Sequence, residues 1–511
     1  MSLNKKYLYV LSSFLAGFSI MAVELVSARV MAPIIGSSVY TWTSVIGITL
    51  LGLALGSWVG GILADRIKSE RLLPLTFLVS AMTVAIIPIL VSHTEFITNS
   101  SLGIAAINLF LSVYLFFLPA VCVGLIQPII LKKYADDFSK IGSMYGALSA
   151  AWSIGSVLGV FTTGFFFIST FGSKETMWLI AFVLLLTGSF HSKNDRLVLA
   201  LFIISVLLGL AVFNFTQQEN HNPRVLFETE TNYYKVRVVD KYLLSFGDAR
   251  ILLLDFDSHT IETKKTSPWL YSELYPAFGY LKKEINNALF IGSGAYTLPK
   301  HIKNYYPDTV VNVVELDPKL ERVAKDYFEL NKYDIQTTIG DARITLEKDK
   351  KTYDLIVGDA YNSFISVPWY LLTKEWNEKV KSRLTPGGIY TIYFIGYLSG
   401  ENNAFTKSAM RTFQETFPNF YIFSFSPSET GLGNIALVGI NSSRTLDELE
   451  LLEKLAGGRN SFLADRLVPT RNWPDNSRVL VLTDNFAPVE KLMAPVVKGY
   501  FQKHLAFINT I

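Results

Sequence analysis

From Tyr7 to Phe215 the chain is a succession of long apolar runs, and after Thr216 it reads like an ordinary soluble protein. The break falls near Gln217–Arg224 (QQENHNPR). A bilayer core takes about 20 apolar residues in helix. Seven runs qualify as candidate spans, at about 7–31, 38–63, 72–92, 102–131, 143–168, 176–190 and 196–214. The first is too long for a signal-peptide core and no small-x-small cleavage site stands out after it, so it is expected to remain as an anchor. Only 17% of the residues are charged, against about a quarter in soluble domains, which also requires part of the chain to face lipid. The expected organisation is a transmembrane domain of about seven helices over 1–215, a small antiparallel β subdomain over 225–282 and a nucleotide-binding domain over 283–511.

Within the apolar half, Gly52, Gly56 and Gly60 recur every four residues, the small-residue ridge that lets helices approach closely in lipid. Glu24 and Arg29 lie in or near the first span, where ionisable groups pair or line a polar cavity. Gln127 and Pro128 mark a candidate kink. Lys5 and Lys6, then Arg66, Lys68 and Arg71, then Lys132, Lys133 and Lys140, then Lys193 and Arg196 fall in alternate loops, with Lys174 the exception. That bias makes this a multi-pass cell-membrane protein with a cytoplasmic N-terminus. Seven crossings would put the C-terminal half outside. Either that half does lie outside or, as is expected here, one run, the short 176–190 stretch first, does not cross.

Several function classes drop out. A net charge of +3 is too small for a nucleic-acid partner. A single cysteine, Cys122, excludes an internal disulfide and a cysteine-ligated metal. The six histidines lack HxxxH or HExxH spacing, so no metal is expected.

The soluble half carries the chemistry. Lys235–Val239, Tyr242–Phe246 and Arg250–Asp255 alternate like strands of a small sheet. From Ala288 the pattern becomes buried strand, loop, helix. The apolar run Ala288–Ile291 meets Gly292-Ser293-Gly294, and a helical stretch follows from Leu298 to Tyr305. A second strand, Val310–Val314, ends in Glu315, placed to bond ribose hydroxyls. A helix is expected from Pro318 to Leu330. A third strand, Ile335–Ile339, ends at Gly340-Asp341-Ala342, and a fourth, Asp354–Val357, ends at Gly358-Asp359. Four strands delivering polar residues at one edge, in this order, define an α/β Rossmann-like fold of class I methyltransferase type. Glycines admit the nucleoside to the backbone, Glu315 holds the ribose and Asp341 accepts from the adenine amino group. Thr297 stands where a dinucleotide fingerprint needs its third glycine.

These residues resemble the spermidine synthase (polyamine aminopropyltransferase) family, in its membrane-fused branch, over roughly 225–440. The family's glycine loop matches Ile291-Gly-Ser-Gly-Ala-Tyr296, its ribose acid Glu315 in Val-Val-Glu-Leu-Asp-Pro, its adenine acid Asp341 and its catalytic base Asp359. A site tyrosine matches Tyr271 in Leu-Tyr-Ser-Glu-Leu. Gly60-Gly61-Ile-Leu-Ala-Asp65-Arg66 is similar to the loop motif of facilitator transporters, and Leu482-Thr-Asp-Asn-Phe-Ala-Pro-Val-Glu490 fits the fused branch. The resemblance implies a nucleoside site of Gly292, Ser293, Gly294, Glu315, Leu316, Asp341 and Ala342. It implies an acceptor pocket shaped by Tyr271, Tyr361 and Asn362, and a homodimer. Three positions depart from soluble members, where acids or a glutamine stand: Ala295, Asn362 and Tyr234. The nucleotide half of the site is kept and the amine half is altered.

The expected activity is aminopropyl transfer from decarboxylated S-adenosylmethionine to an amine, releasing methylthioadenosine. A second reading takes intact S-adenosylmethionine and moves a methyl or aminocarboxypropyl group, for instance to a lipid, because Ala295 removes a negative charge where the donor's carboxylate would lie. A third is a non-enzymatic polyamine transporter or sensor.

Overall fold

The computed structural model describes residues 3–508 apart from 68–69, 92, 95–96, 98–101, 135–140, 193–223, 244–245, 256, 264–272, 361–367, 427, 429–430, 444–446, 459–460 and 470–478. It divides into two compact units, Met1–Lys235 and Val236–Ile511.

Among the described residues of the first unit, five helices are long and apolar enough to cross a membrane. They are α1 (Leu3–Ile35), α2 (Val39–Arg66), α3 (Leu72–Val91), α4 (Ala105–Tyr134) and α5 (Ile141–Phe171). The sixth expected span is helix α6, Ser173–Ser189, of 17 residues. The seventh, 196–214, lies outside the described residues. The glycine ridge is a packing device. A methyl group at Gly56 would strike the Val121 carbonyl and one at Gly60 the Leu125 carbonyl, so α2 lies backbone to backbone on α4. Gly155 and Gly159 of α5 seat against the Phe14 and Phe18 carbonyls of α1 in the same way. Pro128 interrupts α4. It has no N–H for the Gly124 carbonyl four residues back, the ladder turns at Leu125, and Ser57 of α2 donates to that carbonyl at 3.4 Å. Gln127 accepts from Ser13 of α1 at 3.2 Å.

The expected Glu24–Arg29 pair takes another form. Arg29 donates to the Thr231 carbonyl at 2.9 Å, and Glu24 Oε2 is buried without a hydrogen-bond partner. Side-chain contacts sort the helix ends. Tyr9 of α1 stacks on His191, just past α6, and meets Tyr134 of α4 edge-on, while Ser12 bonds His191 at 2.7 Å. Lys132 pairs with Asp65 at 2.7 Å. About 30 Å along α1, at 1.5 Å per residue, Arg29 reaches Thr231. There the backbone N–H and hydroxyl of Ser173, at the start of α6, both donate to Glu230 at 3.0 and 2.6 Å. Residues 192 and 224 therefore border opposite ends of the helical unit.

Strand β1 (Val225–Glu230) precedes β2 (Lys235–Leu243), β3 (Gly247–Leu254) and β4 (Asp257–Thr263). β2 pairs with β3 and β3 with β4, all antiparallel. Of the expected separate strand at 242–246, Tyr242 and Leu243 belong to β2 instead, and 244–245 lie outside the described residues. β3 starts at Gly247, whose φ of +78° suits a glycine.

The large sheet has eight strands in the order β12-β10-β11-β9-β8-β5-β6-β7. They are β5 (Asn287–Ile291), β6 (Val310–Glu315), β7 (Ile335–Ile339), β8 (Tyr353–Gly358), β9 (Leu384–Tyr397), β10 (Phe420–Ser424), β11 (Leu432–Ile440) and β12 (Leu467–Val468). β5 to β9 run parallel, and β10 to β12 add an antiparallel wing beyond β9. Parallel strands covered on both faces read as unbroken apolar runs, and β5 and β8 are buried over nearly their whole length. The connecting helices include α8 (Thr297–Tyr305), α9 (Pro318–Tyr327), α10 (Ala342–Lys348), α11 (Lys374–Ser382) and α12 (Ala404–Thr416), numbered after α7 (Tyr275–Leu281). α9 starts on the Asp317 cap with Pro318 in its first turn. It stops at Tyr327, short of the expected Leu330, because Glu329 takes a left-handed φ of +57° that no helix continues through.

Candidate functional site

The chain moves outward from β5 through β6 to β7 and then returns to the other side of β5 as β8 and β9. This reversal opens a crevice at the C-terminal ends of β5 and β8, the position where open α/β sheets bind ligands. The two strand ends meet there. Asp359 N–H donates to the Ile291 carbonyl at 2.9 Å, and a Cβ at Gly292 would lie 2.6 Å from the Asp359 carbonyl oxygen. Gly292 also has φ +79°, so a side chain is excluded there by both conformation and space.

The glycine loop is gripped from several directions. Ala295 N–H donates to Thr260 Oγ1 of β4 at 3.1 Å, and Thr297 donates to Glu262 of the same strand at 3.1 Å. Buried Lys300 pairs with Glu262 and donates to the Phe328 carbonyl at 2.8 Å. Tyr296 is fully buried at φ +63°, a strained conformation for a bulky residue, and its hydroxyl reaches Thr337 of β7 at 3.1 Å. The loop is thus held open by packing.

Glu315 ends β6, 5% exposed. Ser293 Oγ donates to its Oε2 at 2.7 Å and Asp317 N–H to its Oε1 at 3.0 Å. Burial raises its carboxyl above the ordinary range, opposed by those two donors. Leu316 beside it is half-buried. Asp341 caps α10, its Oδ1 accepting from the backbone N–H groups of Arg343 and Ile344 at 2.9 and 3.0 Å; Ala342 opens that helix. Its Oδ2 accepts from the Tyr370 hydroxyl at 3.3 Å.

Asp359 is half-buried at the end of β8, and desolvation pushes its carboxyl up to about 7. A carboxyl poised near neutrality suits proton transfer. The Tyr393 phenol of β9 is pushed up by burial and then by the charge of Asp359. Beside this strand end lies a cavity of about 20 Å³ lined by Ile291, Gly358, Ala360, Leu372, Trp376 and Tyr390, among others.

The structure therefore gathers Gly292, Ser293, Glu315 and Asp359 in one crevice. Tyr271, Tyr361 and Asn362 fall outside the described residues. Tyr234 is buried in the first unit, in the turn after β1, where its N–H donates to Thr231 Oγ1 at 2.9 Å. Sequence reasoning missed Thr260, Glu262 and Tyr393, whose proximity to the site depends on strand pairing. It also passed over His259, half-buried near Gly294 on β4, where desolvation pushes the imidazole down to about 4.

The strand order and the loop define an α/β domain of the class I methyltransferase type. No family model matches the chain. It is similar to a probable polyamine aminopropyl transferase of Bifidobacterium longum, 27% identical over 298 residues that cover 56% of this chain and 61% of the relative. It is also similar to polyamine aminopropyltransferase 2 of Aquifex aeolicus, 24% identical over 405 residues, 74% of this chain and 77% of the relative. The second match is longer than everything after residue 225 and so reaches into the helical unit. Among solved structures, a probable spermidine synthase from Corynebacterium glutamicum aligns at 19% identity with a TM-score of 0.40, covering 50% of this chain and 95% of that one. In sequence the chain is therefore similar to polyamine aminopropyltransferases.

Proposed function

We propose that the chain is a membrane-bound aminopropyltransferase-like enzyme that uses decarboxylated S-adenosylmethionine and an amine. The observation that carries this reading is the meeting of the glycine loop with Asp359 at the switch point, the Asp359 carbonyl 2.6 Å from where a Gly292 Cβ would be. The cradle made by Gly292 and Gly294, both at positive φ, fits a nucleoside that lies close to the backbone. Gly292, Ser293 and Gly294 line it, Glu315 takes the ribose hydroxyls, Asp341 takes the adenine amino group, and Leu316 and Ala342 flank the base. Asp359 removes a proton from the attacking ammonium. The freed nitrogen lone pair forms the new C–N bond at the carbon next to the sulfonium. The C–S bond breaks, its electron pair returns to sulfur, and neutral methylthioadenosine leaves. Positioning and one base are sufficient for a leaving group this good. Ala295, Tyr271, Tyr361 and Asn362 shape the acceptor side, with fewer acids than a diamine would use.

One observation favours the intact donor as a second reading. Ala295 is fully buried with its N–H on Thr260, so no carboxylate stands there to repel the donor's own. Mass spectrometry of products from purified protein, given both donors with a mixture of amines and lipids, separates the two. Methylthioadenosine and an aminopropylated amine are expected from the decarboxylated donor. S-adenosylhomocysteine from the intact donor alone would replace this reading with methyl transfer.

The helical unit is read as multi-pass with a cytoplasmic N-terminus, from the lysine and arginine bias. Residues 192 and 224 border opposite ends of that unit, which supports seven crossings over a run that fails to cross. The chain then leaves the unit on the extracytoplasmic side. In a Cys122→Ala background, Tyr242→Cys is expected to react with a membrane-impermeant maleimide on intact cells, and Arg66→Cys only after permeabilisation. Labelling of both on the same side would show that the crossings are even in number.

A further inference from the structure

The motif Leu482–Glu490 takes no part in the reaction above, yet the fold carries it to the nucleoside edge. Thr483 and Phe486 exchange backbone hydrogen bonds at 3.1 and 3.0 Å, which makes a tight turn with Asp484 and Asn485 at its tip. Its root is fixed. Lys374 N–H donates to the Leu482 carbonyl at 2.9 Å, Leu482 N–H donates to Thr412 at 2.8 Å, and Leu482 is fully buried. Asp484 N–H donates to Glu375 at 3.0 Å.

The tip grips the loop that holds Asp341. Thr373 Oγ1 donates to Asp484 Oδ1 at 2.7 Å, Arg343 Nη1 donates to the same oxygen at 2.9 Å, and Arg343 Nη2 pairs with Oδ2. Arg343 Nη1 also donates to the Tyr370 carbonyl at 2.9 Å. The Tyr370 hydroxyl returns to Asp341 Oδ2, and Asp341 Oδ1 caps the helix that begins with Ala342 and Arg343. The contacts close a ring of Asp341, Arg343 and Tyr370, and Asp484 braces it from outside through the Arg343 guanidinium. The side chains of Arg343 and Asp484 are 30% and 40% exposed, and an ion pair so placed adds little to stability. A two-point Arg–carboxylate fork does fix direction.

We infer that Asp484 is a positioning residue for the nucleoside pocket, acting through Arg343 and Tyr370 to hold the Asp341 carboxylate toward the adenine edge. This rests on the adenosyl reading of Asp341. Titration calorimetry of the full-length protein in detergent tests it, with methylthioadenosine and its analogue lacking the 6-amino group as probes. The wild type should prefer the amino compound. Asp484→Asn should weaken methylthioadenosine roughly tenfold, by the loss of one charge-assisted fork, and leave the analogue nearly unchanged. Arg343→Gln should do the same, and the double variant no more than either single one. The ligand-free melting temperature should stay close to wild type. Unchanged affinity in a folded Asp484→Asn protein overturns the inference. So does equal weakening of both ligands, or a fall in melting temperature alone, each of which marks a structural staple. If the wild type binds neither compound, the adenosyl reading itself falls and this inference with it.

Discussion

Asp359→Asn is expected to lower kcat roughly a thousandfold, within the range typical of a lost general base, while methylthioadenosine still binds. The geometry separates the two properties. Asp359 holds the end of β8 against β5 through its backbone N–H, which asparagine keeps, and only the proton acceptor is lost. Because burial pushes the carboxyl up to about 7, wild-type kcat/KM should rise through neutral pH and level off above it. The sign also predicts a stability effect. The folded-state value lies above the unfolded one, so the favourable contribution of Asp359 is complete below the ordinary aspartate range and is lost as pH rises through about 7. The asparagine variant escapes that loss, and its melting temperature relative to wild type should improve between pH 5 and pH 8. Full turnover by the variant, or a flat profile from pH 5.5 to 8.5, would remove Asp359 from the mechanism.

Glu315→Gln tests the other side of the crevice, with an expected loss of nucleoside affinity of about a hundredfold and a fold that survives. The carboxylate is 5% exposed and already takes the Ser293 hydroxyl and the Asp317 N–H. Its remaining lone pairs are the ones a ribose would use. An amide offers one accepting atom in place of two and faces one of those donors with an N–H₂ group, so a buried donor goes unpaired. Calorimetry with methylthioadenosine, alongside a melting curve, checks it. Wild-type affinity in the variant would take the ribose role away from Glu315.

Most of the proposed nucleotide half of the site could be named from the sequence because its signals are local. A buried strand, a glycine pair and a strand-end acid lie within a few residues of one another, and the parallel ladder then sets Ile291, Glu315 and Gly358 at one edge. The glycine ridge was equally legible, since helical periodicity alone puts Gly52, Gly56 and Gly60 on one face. Boundaries were less so. β2 continued through Tyr242, and α9 ended early, because single backbone conformations at Gly247 and Glu329 decided them.

The sequence by itself determined the two-part character of the chain, the order of strands and loops, and the acids at the strand ends, because hydropathy and turn chemistry act over short stretches of chain. Only the tertiary structure decided what those acids answer to. It set Thr260 under Ala295, Tyr393 beside Asp359, Arg343 in the fork of Asp484 and Thr231 on Arg29. The last two pairs are 141 and 202 residues apart in the chain. Contacts at such distances leave no periodic trace in the sequence, since they are formed by folding as a whole.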